Sequence, residues 1–391
     1  MKIRNLLFTL LTIIVFSGGF FAGVLYSNNK GQQQADTIKS EQQTVKKDKP
    51  RSNSEPKQEQ KNEPAQSKVL MGYVQDFRDP NIVNYADLTH IIFSFAHPTK
   101  DGSLLFNGDT ALNNLRTIVS KAHEQDTKVI LAVGGWYHIQ GGESYAYFKE
   151  AISNPDSRTK LVTELTGMAE REKLDGIDID FEHPRSTEDA QNLTVFTQEL
   201  SEQLHLRGKE LSIAVNAKVH SVAGTEIHNV IYEPDMFNYV DHVNIMAYDG
   251  QWDGGYNAAN LAPYHYIENI VSYWTGLFDS HQIAKEKLVL GVPFYAQPED
   301  PNVKQISYAA IINQNPENAG QDTVVMNGTT YHYNGIATVQ KKTKLALDNG
   351  FGGMMLWEAG HDTNGDYSLT AAISDSLNEE HQYALRSNKG N

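Results

Sequence analysis

The sequence predicts a TIM (β/α)8 barrel, on three observations. Eight short β-rich runs recur from residue 69 onward, segments with helical spacing separate them, and the whole occupies about 310 residues, the size of such a barrel with some enlarged loops. The runs are VLMGYV (69–74), HIIFSFA (90–96), KVILAVGG (128–135), DGIDIDFE (175–182), LSIAVNA (211–217), DHVNIMAYD (241–249), KLVLGVPFYA (287–296) and GGMMLWEA (352–359). Near-continuous apolar strands suit a parallel sheet covered on both faces. Between them, ALNNLRTIVSKAHEQ (111–125) and TKLVTELTGMAEREK (159–173) have helical spacing. A doubly wound open sheet is the alternative, weakened because no G-x-G-x-x-G follows a first strand.

The longest strand-to-helix gap, roughly 297–335, contains TVVMNGTTYHY, which reads as a hairpin in an insertion too short for a domain of its own. The barrel domain is expected over 68–378. The residues after it, 379–391, are polar and expected to fray.

Before the barrel, Lys2 and Arg4 precede a largely apolar run from Leu6 to Tyr26. A basic start followed by a hydrophobic segment is an export signature. The run also approaches the roughly 20 residues that span a bilayer. Residues 1–27 are therefore expected to be a signal peptide or a membrane anchor, with the barrel outside the cytoplasm, either secreted or tethered. Residues 28–67, rich in Gln, Lys, Glu, Ser and Asn without an aromatic, read as a disordered linker.

The 391 residues carry a formal charge of −15 and no cysteine. Disulfides, thiolate metal sites and thiol nucleophiles are excluded. The first 67 residues are net basic, so the remainder is more acidic still, a surface that repels nucleic acid and anionic membranes. A neutral polysaccharide approaches it more easily. The expected assembly is a monomer.

The decisive segment is Asp175-Gly176-Ile177-Asp178-Ile179-Asp180-Phe181-Glu182. Strand side chains alternate faces, so Asp178, Asp180 and Glu182 share one face and Ile177, Ile179 and Phe181 the other. In a barrel the apolar set packs on helices and three carboxylates point inward, rising toward the mouth. Interior layers are normally branched apolar residues, and buried carboxylates are costly. Adjacent like charges repel, so one of the three should hold a proton, which suits Glu182 as a general acid. Asp175 has the opposite parity and is expected to be structural.

DGIDIDFE resembles the D-x-x-D-x-D-x-E signature of family 18 glycoside hydrolases, the chitinase family. Other motifs follow in order over about 68–375. Ala132-Val133-Gly134-Gly135 resembles S-x-G-G, Met246-Ala247-Tyr248-Asp249 resembles M-x-Y-D, and Gly291-Val292-Pro293-Phe294-Tyr295 resembles G-x-P-F-Y. Tyr73 and Trp357 end strands one and eight where the family places aromatics. Two departures stand out: Ala132 removes a hydroxyl that would bond the innermost aspartate, and Ala296-Gln297 follow Tyr295 where Gly and Arg are common.

The resemblance implies an exported hydrolase of GlcNAc-containing polysaccharide or glycan, needing no cofactor and no metal. Glu182 would protonate the glycosidic oxygen while the substrate's own 2-acetamido oxygen attacks the anomeric carbon. Asp180 would orient the acetamido group, Asp178 would share a proton with Asp180, and Tyr248 would donate to the acetamido oxygen. Tyr73, Met246, Asp249 and Trp357 would line that sugar site, and Trp136 would stack on a further sugar. Tyr137, Trp252 and Tyr256 are further stacking candidates. An N-glycan endo-β-N-acetylglucosaminidase, a peptidoglycan hydrolase and a non-catalytic sugar-binding barrel are the alternatives; the acid is present, which disfavours the last. The fourteen histidines show no H-E-x-x-H spacing, and Asp362-Thr363-Asn364-Gly365-Asp366 reads as a polar turn rather than a calcium loop.

Overall fold

The structure is a computed structural model and describes residues 68–387; the export segment and linker expected over 1–67 lie outside the described residues. Eight parallel strands close on themselves: β1 (Val69–Gln75), β2 (His90–Pro98), β4 (Lys128–Gly134), β5 (Gly176–Glu182), β6 (Glu210–Asn216), β7 (His242–Met246), β8 (Leu288–Pro293) and β13 (Gly353–Trp357), which returns to β1. Closure removes the open edges that a doubly wound sheet would leave. A two-residue strand β3 (Leu104–Leu105) pairs antiparallel with the end of β2.

The helices form because their sequences place an apolar stripe inward. In α1 (Gly108–His123) the buried residues are Ala111, Leu115, Ile118, Val119 and Ala122, a three–four spacing that seats one face on the barrel. Two helices, α2 (Ser144–Ser153) and α3 (Pro155–Arg171), follow β4. Asn154 caps α3, its side chain accepting from the Asp156 amide, with Pro155 where its missing N–H costs nothing. Ser186 caps α4 (Thr187–His205) in the same way. Helices α5 (Tyr264–His281) and α7 (Ile336–Asp348) complete the wall after β7 and before β13. Among the described residues, no helix is long and apolar enough to cross a membrane.

The seventh run breaks into two strands. After β8 the chain turns at Phe294 and enters a separate antiparallel sheet of β9 (Tyr295–Pro298), β10 (Ile306–Ser307), β11 (Thr323–Met326) and β12 (Thr329–His332), with helix α6 (Tyr308–Gln314) between β10 and β11. The predicted hairpin is β11–β12. Asn327 and Gly328 make its two-residue turn, both with positive φ, the Asn-Gly pattern that matches strand twist. At the C-terminus the expected boundary at 378 falls inside α8 (Leu369–Ser387). Leu369, Ala372, Ile373 and Leu377 bury one face of its first turns.

The core beneath α5 is aromatic. Trp274 is fully buried, donates from Nε1 to the Ala217 carbonyl at 3.2 Å, and lies 5.6 Å from Phe237 and 6.1 Å from Phe278, ring centre to ring centre. Truncating an indole at such a site removes its transfer free energy and leaves a cavity. Trp274→Ala should lower unfolding free energy by roughly 3–5 kcal/mol, read from urea denaturation.

Candidate active site

The site is assembled at the C-terminal ends of the strands, around β5. The apolar face of β5 packs outward as expected: Phe181 lies 5.0 Å from Phe148 and 5.6 Å from Tyr145, both on α2. Asp178 and Asp180 point inward and are 0% and 3% exposed. Three donors from three other strands converge on Asp178. Tyr73 on β1 donates to Oδ2 at 2.7 Å, Ser212 on β6 to Oδ1 at 2.5 Å, and Asn244 on β7 to Oδ1 at 3.2 Å. Burial pushes the Asp178 carboxyl up to about 6, against the pull of these hydrogen bonds.

Ala132 stands next to Asp178 in the β4–β5 register and Ser212 next to it in the β5–β6 register. The hydroxyl missing at Ala132 is thus met from the opposite neighbour, and Asp178 keeps a full set of donors. Tyr73 was expected to line the sugar site. It is 2% exposed, and its hydroxyl is spent on Asp178.

Asp180 is surrounded differently. Its Oδ1 is buried and has no hydrogen-bond partner. Burial, the Glu182 charge and the Asp178 charge together raise its carboxyl well above the ordinary aspartate range. The pressure to hold a proton is therefore strong at Asp180 itself. The backbone carbonyl of Asp180 accepts from the Gly135 amide at 2.9 Å. A Cβ on Gly134, whose φ is +122°, would lie 2.1 Å from that same carbonyl oxygen. Backbone approach, rather than the sugar, accounts for the first glycine of this pair.

Strict alternation fails at the last step. The β5–β6 register jumps between Ile179 and Glu182, and Glu182 has φ +57°. The bulge re-aims the acid at the mouth. Tyr232 locks this turn: its hydroxyl donates to the Glu182 carbonyl at 2.7 Å and accepts from the Asn216 amide at 2.9 Å. The Glu182 side chain is 14% exposed, and His183 Nδ1 lies 3.4 Å from Oε2.

The M-x-Y-D segment lies mostly beyond β7, which ends at Met246. Tyr248 is buried, and its hydroxyl meets only the Met355 thioether, at 3.9 Å. Burial, then the charges of Asp249, Asp180, Glu182 and Asp178, hold this phenol protonated far above its ordinary range. Asp249, at φ +64°, accepts from Tyr295 at 2.5 Å and Gln251 at 3.1 Å. Trp357 is half-buried, 5.5 Å from Tyr73 and stacked at 6.0 Å on Phe95. Met246 is partly buried against the core.

The more distant aromatics are exposed. Trp136 is 44% exposed and sits edge-on to His183 at 5.2 Å. Tyr137 is 71% exposed. Trp252, 62% exposed, packs 4.9 Å from Tyr256. Gln297, the residue in the place of the family arginine, donates to the Tyr256 hydroxyl at 3.0 Å and accepts from Gln305 at 2.6 Å. It fixes the aromatic pair from the antiparallel sheet. Asp175 is structural: Oδ2 accepts from the Val129 amide at 2.7 Å. The carboxylate of Asp362 accepts from the amides of Thr363, Leu369 and Thr370 and the hydroxyls of Ser368 and Thr370, so the run is a polar turn tying down α8.

Sequence reasoning missed Ser212, Asn244, Phe95 and Tyr232. Alternation in LSIAVN and HVNIM does place Ser212 and Asn244 on inward faces, where a polar residue among apolar ones was a readable signal. Nothing local marks Tyr232, which lies in a loop 50 residues from the carbonyl it holds.

A closed parallel barrel carries a column of carboxyls under its mouth. The model of glycosyl hydrolases family 18 matches residues 69–362, and the chain belongs to that family. Chitinase 1 of Aphanocladium album is 24% identical, over 75% of this chain and 80% of that one. Probable chitinase 10 of Drosophila melanogaster is 29% identical over 56% of this chain, a match that spans only 10% of that longer protein. The solved chitinase ChiB from the chitin utilization locus of Flavobacterium johnsoniae is 25% identical, with a TM-score of 0.67 over 81% of this chain and 96% of that one. A chitinase-like agglutinin from Robinia pseudoacacia, 20% identical, shares the fold with a TM-score of 0.65 over 78% of this chain and 99% of that one.

The raised carboxyl of Asp180 fixes a pH dependence of stability. A folded-state pKa above the unfolded value favours the fold at low pH, and that contribution is lost as pH rises through the folded pKa. An amide at this position carries no such penalty. Asp180→Asn should therefore be more stable than wild type at pH 8, with the difference closing as pH falls toward about 4, measured by urea denaturation across that range.

Proposed function

We propose that the protein is an exported chitinase-type hydrolase that cuts β-1,4 linkages next to N-acetylglucosamine with retention of configuration. The observation that carries the reading is the unpaired, buried Asp180 Oδ1 together with the lightly held Tyr248 hydroxyl, whose phenol feels the Asp180 charge. One is an acceptor without a donor and the other a donor with only a thioether to meet. A 2-acetamido group supplies both complements, its N–H to Asp180 and its carbonyl oxygen to Tyr248. An acetamido group so held is aimed at its own anomeric carbon.

Glu182, the most accessible of the three carboxyls, then protonates the glycosidic oxygen as the C–O bond breaks. The acetamido oxygen forms the new bond, giving an oxazolinium whose positive charge faces Asp180. Water activated by Glu182 opens it, and two displacements at one carbon retain configuration. Ordinary retaining glycosidases use a second carboxylate as nucleophile, and substrate assistance is the recognised exception. Asp178 suits no such attack, being fully buried behind three donors. Trp357 offers an apolar face under the ring, and Trp136, Tyr137 and Trp252 offer stacking along a longer chain.

Chitin-type substrate is favoured over peptidoglycan by charge. The Arg185 guanidinium on the rim after β5 is bonded to Glu143 at 2.6 Å, and Lys218 is turned onto the Ile227 and Val230 carbonyls. A lactyl carboxylate on an acidic barrel would lack a cation at these places. The N-terminal pattern supports export, with the barrel either secreted or tethered, and would place it where an insoluble polymer can be reached.

Glu182→Gln should keep the fold and sugar binding and lower turnover of chitin oligomers by about 10²–10⁴-fold. In the same assay fully deacetylated oligomers should stay intact, and NMR of the first product should show the β-anomer. Near-wild-type turnover by the variant, cleavage of deacetylated substrate, or an inverted product would overturn the mechanism. Efficient deglycosylation of high-mannose glycoprotein with chitin oligomers untouched would replace the substrate.

A further inference from the structure

The floor of the barrel, at the opposite end from the acid, carries a second polar constellation that the hydrolytic reaction does not use. His90 is the first residue of β2, Glu210 the first of β6 and His242 the first of β7. In the strand order β2 lies on the other side of the barrel from β6 and β7, so these side chains meet across its interior. Floor layers of such barrels are ordinarily filled with branched apolar residues.

One ligand atom from each of His90, His242 and Glu210 lies within 4.8 Å of the other two. His90 Nε2 is 2.9 Å and His242 Nε2 3.8 Å from Glu210 Oε2. Two ligands of a tetrahedral ion with bonds of about 2.0–2.2 Å stand roughly 3.3–3.6 Å apart, and the observed separations bracket this. His242 is 9% exposed, and among the described residues its side chain has no hydrogen-bond partner: Nδ1 is buried and unpaired, and Nε2 faces the cluster at a distance too long for a hydrogen bond. His90 Nδ1 lies 2.8 Å from the Thr89 hydroxyl, the outer contact that orients a ligating imidazole.

We propose that His90, Glu210 and His242 form a binding site for a divalent transition-metal ion, zinc by its ligand set, with solvent as the fourth ligand. Two imidazoles and one carboxylate suit such ions, whereas magnesium and calcium prefer all-oxygen shells. Glu210 is 23% exposed, which gives an entry path from the floor of the barrel. Lys128 is bonded to the other oxygen of Glu210, and its side chain is 49% exposed and able to swing away. Its charge opposes the ion, so the site is tuned by a competing lysine. The ion would tie β2 to β6 and β7 across the floor.

The test is calorimetric titration of the chelator-stripped full chain with zinc chloride, with magnesium chloride in parallel. One equivalent of zinc and no magnesium should bind. His242→Gln should weaken zinc binding at least tenfold, and Lys128→Met should strengthen it. Should the histidine variant fail to fold, anomalous scattering at the zinc edge from zinc-soaked wild-type crystals should place the ion in bonding contact with all three side chains. Absence of saturable zinc binding, unchanged affinity in a folded His242→Gln, no gain in Lys128→Met, equal magnesium binding, or an ion located elsewhere would each overturn the proposal. None of these readouts depends on glycosidase activity.

Discussion

Everything at the mouth of this barrel rests on keeping Asp178 and Asp180 inside it. Two carboxyls stacked in a protein interior face both desolvation and mutual repulsion, and among the described residues no buried cation is paired with either. The chain meets the deeper one with neutral donors: a phenol from β1, a hydroxyl from β6 and an amide from β7. Only a closed barrel brings strands so distant in sequence around one oxygen pair. The identity of the donors explains why the interior is polar on those strands, and why losing a hydroxyl at Ala132 leaves Asp178 fully bonded.

The donors do not extend upward to Asp180, and this gradient organises the chemistry. The lower carboxyl accepts three hydrogen bonds, while the upper one retains an unmatched oxygen and strong pressure toward protonation. Around them the mouth of the barrel changes from polar to aromatic. Trp357 is seated on Phe95 and Tyr73, whereas the outer Trp252 leans on Tyr256, which Gln297 and Gln305 hold from the small antiparallel sheet. The insertion after β8 thus supports the outer wall although it supplies none of the reacting groups.

The architecture was legible because eight apolar runs and the helical spacing between them are local signals. The carboxylate face of β5 was legible for the same reason, since period-two alternation needs no tertiary information. Alternation gave the right inward face for Asp178 and Asp180, but Glu182 reaches the mouth through a bulge held by Tyr232, and a contact across 50 residues leaves no local trace. Tyr73 shows the converse. Its position at a strand end matched an aromatic of the sugar site, but whether a tyrosine shows its ring to a ligand or its hydroxyl to a neighbour is decided by packing depth. The seventh run read as one strand because apolarity continues through Phe294 while the sheet does not.

The left-handed backbone of Glu182 restricts what this site can become. Glycine, asparagine and aspartate enter that region with least strain, whereas β-branched residues are strongly disfavoured there. Evolutionary drift away from hydrolysis is thereby channelled: valine, isoleucine and threonine would disturb the Tyr232 latch along with the chemistry, while asparagine or glycine could silence the acid and leave the groove's shape intact. A binding-only descendant of this scaffold would carry that backbone signature long after the carboxyl at 182 had gone.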